Sequence, residues 1–370
     1  MRITLVLENI RGGGAPFSAV NWANAWQRRG HQVSIVVVHP NEGQGADFAL
    51  GEGVTLTRID VQDRAVSSRF GALRRLWNCL SLLRGTIRAT KPEVVLSFAA
   101  PINVRMLMAC IGLPFHRIVM EQTHPGMESH GKFWEKWRKR LYPRASALVN
   151  LTRDAHDWCQ ERFPVARTAV IPNPVLPPAT TGQPKRRGRL VVAAGRLVEQ
   201  KRFDLLIAAF AMVAEESPDW NLVIYGEGAD REWLESLVAG HGLAGRISLP
   251  GWAGDLSAKM AEGEFFVLSS GYEGFGNVIC EAMAVGRPVV SFNCPSGPGD
   301  IIRHEVDGLL VPPLDTEGLA AGMARLMRDE ALCARLGARA PEVLERFSLE
   351  RTLEMWDALF ERVMGEGRSR

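Results

Sequence analysis

Two carboxylates, Glu273 and Glu281, stand eight residues apart around a glycine-containing turn. The apolar run Phe265–Leu268 precedes this turn and predicts a strand that is buried on both faces. The segment Asn277–Val285 predicts a helix that ends at Gly286. The free N–H groups and the dipole at the start of such a helix favour negative charge. We therefore predict that the turn between the two glutamates holds an anionic ligand.

Two cations flank a second turn, which leaves the predicted strand Leu190–Ala194. Arg196 and Lys201 would stabilise the negative charge that a diphosphate gains as it departs from a sugar. Charge-assisted hydrogen bonds of this kind contribute roughly 1.5–3 kcal/mol each. Either residue alone is compatible with a surface cation, but together with the two glutamates they favour a nucleotide-sugar diphosphate. The chain contains no Asp-x-Asp pair, so we predict neither a metal nor a cofactor.

One histidine, His124, lies shortly after the predicted strand Arg117–Glu121. In α/β sheets, ligands bind outside the carboxyl ends of the strands, and His124 occupies such a position. We interpret it as a polar contact to the substrate near the reacting carbon. The alternative is an exposed or structural histidine.

Strands and helices alternate along the whole chain, which predicts an α/β protein with parallel sheets. A chain of 370 residues exceeds what one core usually serves, and the five prolines between residues 172 and 188 indicate a linker. We therefore predict a domain over 1–175, a linker over 176–188, a domain over 189–346 and a C-terminal helical segment over 347–370. In the second domain, a short strand is predicted over Ile247–Leu249, and a loop that begins at Pro250 follows it.

The first predicted loop, Glu8–Pro16, contains three consecutive glycines, which invites a dinucleotide-binding interpretation. The spacing is not GxGxxG, and the second strand ends in His39-Pro40 where an acidic residue would be expected. A nicotinamide-dependent oxidoreductase therefore has little support. We predict that Gly13 and Gly14 approach a phosphate or a sugar, and the alternative is a flexible turn.

Charge is unevenly distributed along the chain. Residues 1–180 hold 23 Lys/Arg against 13 Asp/Glu, and the remainder holds 21 against 28. Basic and aromatic residues alternate in the predicted helix 132–144, which suits an anionic bilayer surface. A solvated helix face is the alternative, and no nucleic-acid-binding module is recognisable. The predicted membrane or acceptor face comprises Lys132, Trp134, Trp137, Arg138, Lys139 and Arg140.

The six cysteines show no CxxC pair and no metal-site spacing, so buried free thiols in a reducing compartment are expected. No segment approaches the ~18 apolar residues of a membrane span, and the first apolar run is too short for a signal peptide. We predict a cytoplasmic protein that is peripheral on the inner face of the membrane.

Three segments resemble one family: GRLVEQKRFDLLIAAF, SSGYEGFGNVICEAMAVGRPVVSFNCPSGPGDII and DGLLVPP. They are similar to the family 4 retaining glycosyltransferases of GT-B fold, and the match covers most of Leu190–Pro313. The resemblance implies two Rossmann-like βαβ domains with parallel sheets facing a central cleft. It places the nucleotide-sugar donor in the second domain, the acceptor mainly in the first, and the final helix, Glu350–Arg362, back on the first domain.

The resemblance also implies roles for individual residues. Glu281 would hold the ribose hydroxyls, Glu273 would contact the transferred sugar, and Arg196 and Lys201 would bind the diphosphate. Arg202 stands where members of the family commonly have glycine, and GGGAPF stands where they often have GGAER. The remaining donor-binding residues that it implies are Pro250, Gly251, Gly274, Phe275, Gly276, Asn277 and Val278.

The implied function is metal-independent, retaining transfer of a hexose or N-acetylhexosamine. A UDP-sugar is the favoured donor, and a lipid-linked or surface-polysaccharide glycan is the favoured acceptor, because SFNCPSGP is most similar to that branch of the family. Glu273 and His124 would be the catalytic residues. The alternatives are a soluble transferase that uses a GDP- or UDP-sugar on a small molecule or a protein, and a non-catalytic carbohydrate-binding protein.

Overall fold

The computed structural model describes residues 1–39, 47–59, 69–178 and 188–365. The predicted linker over 176–188 lies largely outside the described residues. The chain divides into two compact units, Met1–Pro174 with Leu349–Arg370, and Val175–Ser348. Each unit is an α/β sandwich built on one parallel sheet.

The described part of the first unit contains a seven-stranded sheet in the order β3-β2-β1-β4-β5-β6-β7, with every neighbouring pair parallel. Its strands are β1 (Arg2–Leu7), β2 (Gln32–Val37), β3 (Val54–Arg58), β4 (Val94–Phe98), β5 (His116–Met120), β6 (Ala147–Asn150) and β7 (Thr168–Val170). The chain starts in the middle of this sheet and reverses direction between β1 and β4. That reversal opens a crevice at the carboxyl ends of the two strands.

Helices cover both faces of the first sheet. The first five are α1 (Gly14–Arg28), α2 (Arg69–Ala89), α3 (Ala100–Ala109), α4 (Lys132–Leu141) and α5 (Arg153–Arg162). Residues of α2 to α5 form one core cluster with alternate strand residues such as Val95. Trp22 of α1 stacks on Phe98, which points to the opposite face because it lies three residues after Val95.

The described part of the second unit contains a six-stranded parallel sheet in the order β10-β9-β8-β11-β12-β13. Its strands are β8 (Leu190–Ala194), β9 (Asn221–Tyr225), β10 (Ile247–Gly251), β11 (Phe265–Leu268), β12 (Val289–Phe292) and β13 (Gly308–Val311). Its helices are α6 (Phe203–Ala214), α7 (Arg231–Gly240), α8 (Leu256–Glu262), α9 (Asn277–Ala284), α10 (Pro298–Ile301), α11 (Thr316–Arg328), α12 (Glu330–Arg339) and α13 (Val343–Arg346). The strand order is the Rossmann order, and the reversal here falls between β8 and β11.

The last helix, α14 (Leu349–Gly365), returns to the first unit and packs on α1. Trp356 contacts the rings of Trp22 and Trp26 edge-on at 5.4 and 5.7 Å. The indole N–H of Trp22 donates to Thr352 Oγ1 at 3.0 Å, and Arg29 forms ion pairs with two acidic residues of α14. Both tryptophans of α1 are fully buried, so α14 completes the core on that face.

Strands β8 and β11 have the predicted bounds, and β11 is buried along its whole length as predicted. Several predicted bounds are wrong, and two of them lie beside predicted site residues. The first loop ends before Pro16, because α1 begins at Gly14 and proline is tolerated in the first turn of a helix. The strand predicted to end at Leu249 continues through Gly251, whose carbonyl accepts a hydrogen bond from Gly226 N at 2.9 Å.

Candidate functional site

The reversal point of the second sheet brings two loops together. The β8 loop, residues 195–202, and the β11 loop, residues 269–276, leave neighbouring parallel strands. Gly271 N donates to the carbonyl of Gln200 at 2.9 Å, and the side chain of Gln200 donates to the carbonyl of Tyr272 at 2.9 Å. Ser269 Oγ donates to the carbonyl of Lys201 at 2.8 Å. The two loops are therefore held in register before any ligand binds.

An ion pair joins the side chains of the same loops. Lys201 Nζ lies 2.5 Å from Glu273 Oε1, and the side chains are only 12% and 8% exposed. Ser270 donates a further hydrogen bond to Glu273 Oε1 at 2.6 Å. The sequence predicted separate partners for this lysine and this glutamate, and the structure shows that they also contact each other. The carboxylate of Glu273 is thereby fixed in direction, while Lys201 keeps donors beyond the one used here.

Arg196 lies near the start of the β8 loop, and its side chain is exposed. Its guanidinium makes one long hydrogen bond, 3.5 Å to Gln200 Oε1, and forms no ion pair within the described residues. An arginine presents five donors in a planar fork that suits phosphate oxygens. This charge is available to an anionic ligand.

The β11 loop leads directly into α9. Gly276 takes the N-cap position with φ 98°, no side chain caps the helix, and its first turn carries no acidic residue. The first residues, Asn277 and Val278, keep part of their surface exposed. This helix N-terminus therefore favours an anion, as predicted from its sequence.

The backbone of the β11 loop is supported from behind. The side chain of Phe275 is buried and packs edge-on against Phe347 at 5.3 Å, so only its backbone can contact a ligand. Ser296 Oγ donates to the carbonyl of Gly274 at 3.1 Å. A Cβ at Gly297 would lie 2.0 Å from the carbonyl oxygen of Phe275, so this position requires glycine. Sequence reasoning missed the supporting residues, although the Pro-Ser-Gly-Pro-Gly run marks a close turn.

Glu281 differs from Glu273 in having no charged partner within the part of the chain that the structure describes. Its carboxylate makes no hydrogen bond or ion pair to other described residues, and part of its surface is exposed. Desolvation by the surrounding protein raises its pKa to about 7. Carboxylate oxygens without partners at the edge of the site can accept hydrogen bonds from a ligand diol.

Pro250 and Gly251 end β10 on the same edge of the sheet, two strands from β8. Gly251 has φ 91°, and a Cβ there would lie 2.6 Å from Glu227 Oε1. Glu227 is paired with Arg231, whose guanidinium also donates to the carbonyl of Leu249 at 2.9 Å. These bonds hold the end of β10 beside the end of β9.

Two of the predicted donor-binding residues, Gly13 and Gly14, lie in the first unit. Gly13 caps α1 with φ 80°, and Gly14 is the first residue of that helix. No side chain caps α1, and its first turn carries no acidic residue. This helix N-terminus is thus also open to an anion, whereas the other predicted donor-binding residues belong to the second unit.

His124 is only 5% exposed, in the loop that follows β5. Gly126 N donates to His124 Nδ1 at 3.2 Å, so in the neutral ring Nε2 carries the proton and faces Asp154 Oδ2 at 3.5 Å. Burial lowers the pKa of this histidine, although Asp154 opposes the shift. Trp158 packs edge-on against the ring at 5.8 Å. These contacts hold the ring of His124 in place, and its catalytic role stays a prediction.

The predicted membrane face of α4 needs one correction. Lys132, Lys139 and Arg140 are exposed, but Arg138 is 2% exposed and pairs with Glu135 at 2.7 Å. Composition alone treats arginine as a surface residue, and here the buried carboxylate of Glu121, 3.8 Å away, draws it inward. Trp134 and Trp137 pack partly against the core of the first unit. The exposed basic and aromatic face, called the α4 face below, comprises Lys132, Phe133, Lys136, Lys139 and Arg140.

Among the described residues, no three His, Cys, Asp or Glu side chains come together as a metal site would need. All six cysteines are buried free thiols, as expected. No helix in the described part of the chain has both the length and the apolar composition needed to cross a bilayer.

Two family models match nearly the whole sequence. Residues 13–174 match the glycosyl transferase 4-like domain, and residues 182–343 match the glycosyl transferases group 1. The chain belongs to the group 1 glycosyl transferases. The family expected from the three quoted segments is confirmed, and the nicotinamide oxidoreductase is set aside.

Relatives of this group 1 glycosyl transferase differ in how much of their length it spans. An exopolysaccharide phosphotransferase of Streptomyces coelicolor is 36% identical over 67% of this chain, but the matched part is only 26% of that protein. A Campylobacter jejuni α-1,4-N-acetyl-D-galactosaminyltransferase, named for a diphosphoundecaprenol-linked glycan, is 26% identical over 96% of this chain and 97% of that protein.

Solved structures share the architecture of this group 1 glycosyl transferase. Sucrose-phosphate synthase of Thermosynechococcus elongatus has a TM-score of 0.83 at 18% identity, over 99% of this chain and 100% of that chain. HepE of Anabaena, solved in complex with UDP, has a TM-score of 0.77 at 18% identity with the same coverage. The expected GT-B fold, with two Rossmann-like units, is confirmed.

Arg202 ends the β8 loop in a left-handed conformation, with φ 49° and ψ 42°. Its guanidinium pairs with Asp204 at 2.8 Å. This backbone conformation explains why the resemblance places glycine here, because only glycine adopts it without a steric cost.

We predict that Arg202→Gly is more stable than Arg202→Ala by about 1 kcal/mol, since both lose the ion pair and only alanine keeps a Cβ. Urea unfolding of the two variants, followed by circular dichroism, measures the difference. At the exposed position Ala321 within α11, the order should reverse, and Ala321→Gly should destabilise the protein by about 1 kcal/mol. Equal stability of the two Arg202 variants would contradict the assigned conformation.

Proposed function

We propose that this group 1 glycosyl transferase moves a hexose or N-acetylhexosamine from a UDP-sugar onto a lipid-linked or surface-polysaccharide glycan. The transfer retains the anomeric configuration and uses no metal ion. The observation that carries the proposal is the ion pair of Lys201 with Glu273 in the loop that leads into the uncapped start of α9, with the exposed Arg196 on the same loop as Lys201.

The leaving group of such a reaction is a nucleoside diphosphate that gains negative charge as the glycosidic bond breaks. Arg196 has no ion-pair partner among the described residues, and Lys201 keeps donors beyond the one bound to Glu273. Together with the α9 N-terminus they can stabilise that charge from fixed positions, which requires little reorganisation. This is why we assign the diphosphate to cations and peptide N–H groups.

The two glutamates then take different parts of the donor. Glu273, held by Lys201 and Ser270, is directed to accept hydrogen bonds from hydroxyls of the transferred sugar. Glu281 has no such partner and accepts from the ribose diol. The held carboxylate beside the reacting carbon supports departure and attack on one face of the sugar.

The acceptor class is supported by the Campylobacter relative, which is named for an undecaprenol-linked glycan, and by the basic α4 face. UDP is supported by the solved complex of HepE. Exposed Phe133 beside the lysines suits the headgroup region of an anionic bilayer, where we place the enzyme on the cytoplasmic side.

Arg196→Met should lower kcat/KM for the UDP-sugar roughly 10- to 100-fold, since it removes a charge-assisted contact of about 1.5–3 kcal/mol to the leaving group. The assay follows extension of an undecaprenyl-diphosphate glycan, screened over UDP- and GDP-sugars. Arg189→Met, at the opposite end of β8, is the matched control and should retain wild-type kinetics.

The same assay tests the rest of the proposal. Activity should survive EDTA, and NMR of the product should show the donor's anomeric configuration. Hydrolysis without transfer to any glycan, an inverted product, or equal effects of the two arginine changes would each count against it.

Donor affinity should fall roughly tenfold between pH 8 and pH 6, because a Glu281 carboxyl with a pKa of about 7 loses its charge over this range. The protonated group keeps fewer acceptor sites for the ribose hydroxyls. Calorimetric titration with the UDP-sugar found above, whose diphosphate does not titrate here, measures this. Glu281→Gln should bind more weakly at pH 8 and show a flat profile, and a wild-type profile that is flat would disprove the role.

Lys136→Gln with Lys139→Gln should weaken binding to phosphatidylglycerol-containing vesicles roughly 30-fold, at about 1 kcal/mol for each lysine. Co-sedimentation at low salt measures the binding. The control double variant, Arg28→Gln with Lys91→Gln, removes two exposed cations elsewhere in the first unit. Equal losses of vesicle binding in the two double variants would show that net charge alone determines binding. An absence of vesicle binding by the wild type would favour a soluble acceptor.

A further inference from the structure

A chain of buried polar groups lies beneath the carboxyl ends of β4 and β5. Ser97 Oγ donates to Asn103 Oδ1 at 2.7 Å, and Asn103 Nδ2 contacts Tyr142 Oη at 3.0 Å. The hydroxyl of Tyr142 in turn donates to Glu121. All four residues are at most 3% exposed, so each polar group depends on the next one.

Arg138 closes this chain of groups from α4. Its guanidinium lies 3.8 Å from Glu121, which follows the last residue of β5, and donates to the carbonyl of Pro125 at 3.1 Å. The segment between these two contacts carries His124. The guanidinium also lies over the ring of Trp158 at 5.9 Å, and the same ring packs against His124.

Filling a core with charged and polar groups costs free energy, because each group loses its hydration. Burial raises the pKa of Glu121, which shows that the protein environment opposes its charge although Arg138 and Tyr142 favour it. Apolar residues often replace a buried ion pair with no loss of stability. What they cannot replace is the fixed hydrogen bond to the carbonyl of Pro125. The charged network is therefore better explained by the loop that it holds than by the stability of the core.

We propose that Arg138, supported by Glu121 and Tyr142, is a positioning residue that holds His124 in one orientation for the acceptor step of glycosyl transfer. Its kinetic consequence rests on the proposed function. Arg138 acts through the 121–126 loop and contacts neither donor nor acceptor.

Arg138→Lys should lower kcat/KM for the glycan acceptor at least tenfold and leave the Kd for UDP unchanged, because the proposed diphosphate and ribose contacts, Arg196, Lys201 and Glu281, belong to the second unit. His124→Ala should cause no further loss in the Arg138→Lys background, since both changes remove the same positioned ring. Independent structural damage would instead multiply the two losses, and that outcome would overturn the proposal. Arg28→Lys, at an exposed position near the end of α1, is the matched control and should retain activity.

A second readout needs no activity. In protein labelled with ¹⁵N-histidine, His124 should show a single Nε2–H tautomer, because Gly126 N–H occupies Nδ1. Tyr142→Phe, a milder change than loss of the arginine, should mix the two tautomers, and so should Arg138→Lys. Unchanged tautomer signals in both variants would refute positioning. If the wild type transfers no sugar, the proposed function fails while this experiment still decides the role of Arg138.

Discussion

The ion pair between Lys201 and Glu273 is the interaction on which the site of the second unit depends. Two nearly buried charges are tolerated only when they meet, so the β8 loop and the β11 loop must close on each other. They can do so because the strand order of the sheet places β8 beside β11, although 70 residues separate the two strands in sequence. The hydrogen bonds around Gln200 then fix the backbone that leads into α9.

Both units use charge in the same two ways. Where a charge is paired and buried, as in Lys201 with Glu273 or Arg138 with Glu121, it joins a loop to the end of a strand. Where a charge lacks a partner among the described residues, as in Arg196, it lies at the surface of the same edge. The paired charges fix the positions of the loops, and the unpaired ones remain available to a ligand. This division lets one sheet edge be held rigidly and still present an unpaired cation.

The sequence predicts local features well and partners poorly. Short apolar runs bounded by polar residues gave the bounds of β8 and β11, because such a pattern reports burial directly. No pattern shows that Lys201 meets Glu273, since that contact follows from strand order. Arg138 was misplaced for the same reason: its neighbours are basic and aromatic, and the carboxylate that buries it lies 17 residues away. The need for glycine at position 297 was also not predicted, because it arises from the carbonyl of Phe275, which is distant in sequence.

The spacing of the two glutamates acquires a physical meaning from these contacts. Glu273 lies before the first turn of α9, where Lys201 compensates its charge and Ser270 sets its direction. Glu281 lies within the helix, where no cation of the described residues forms an ion pair with it, and desolvation raises its pKa to about 7. One carboxylate is thus paired and fixed in direction, while the other is costly to ionise because the surrounding protein desolvates it. In the role proposed for Glu281, a donor that bonds to this carboxylate would recover part of the desolvation cost, so affinity would come from relieving an unfavourable state that folding imposes.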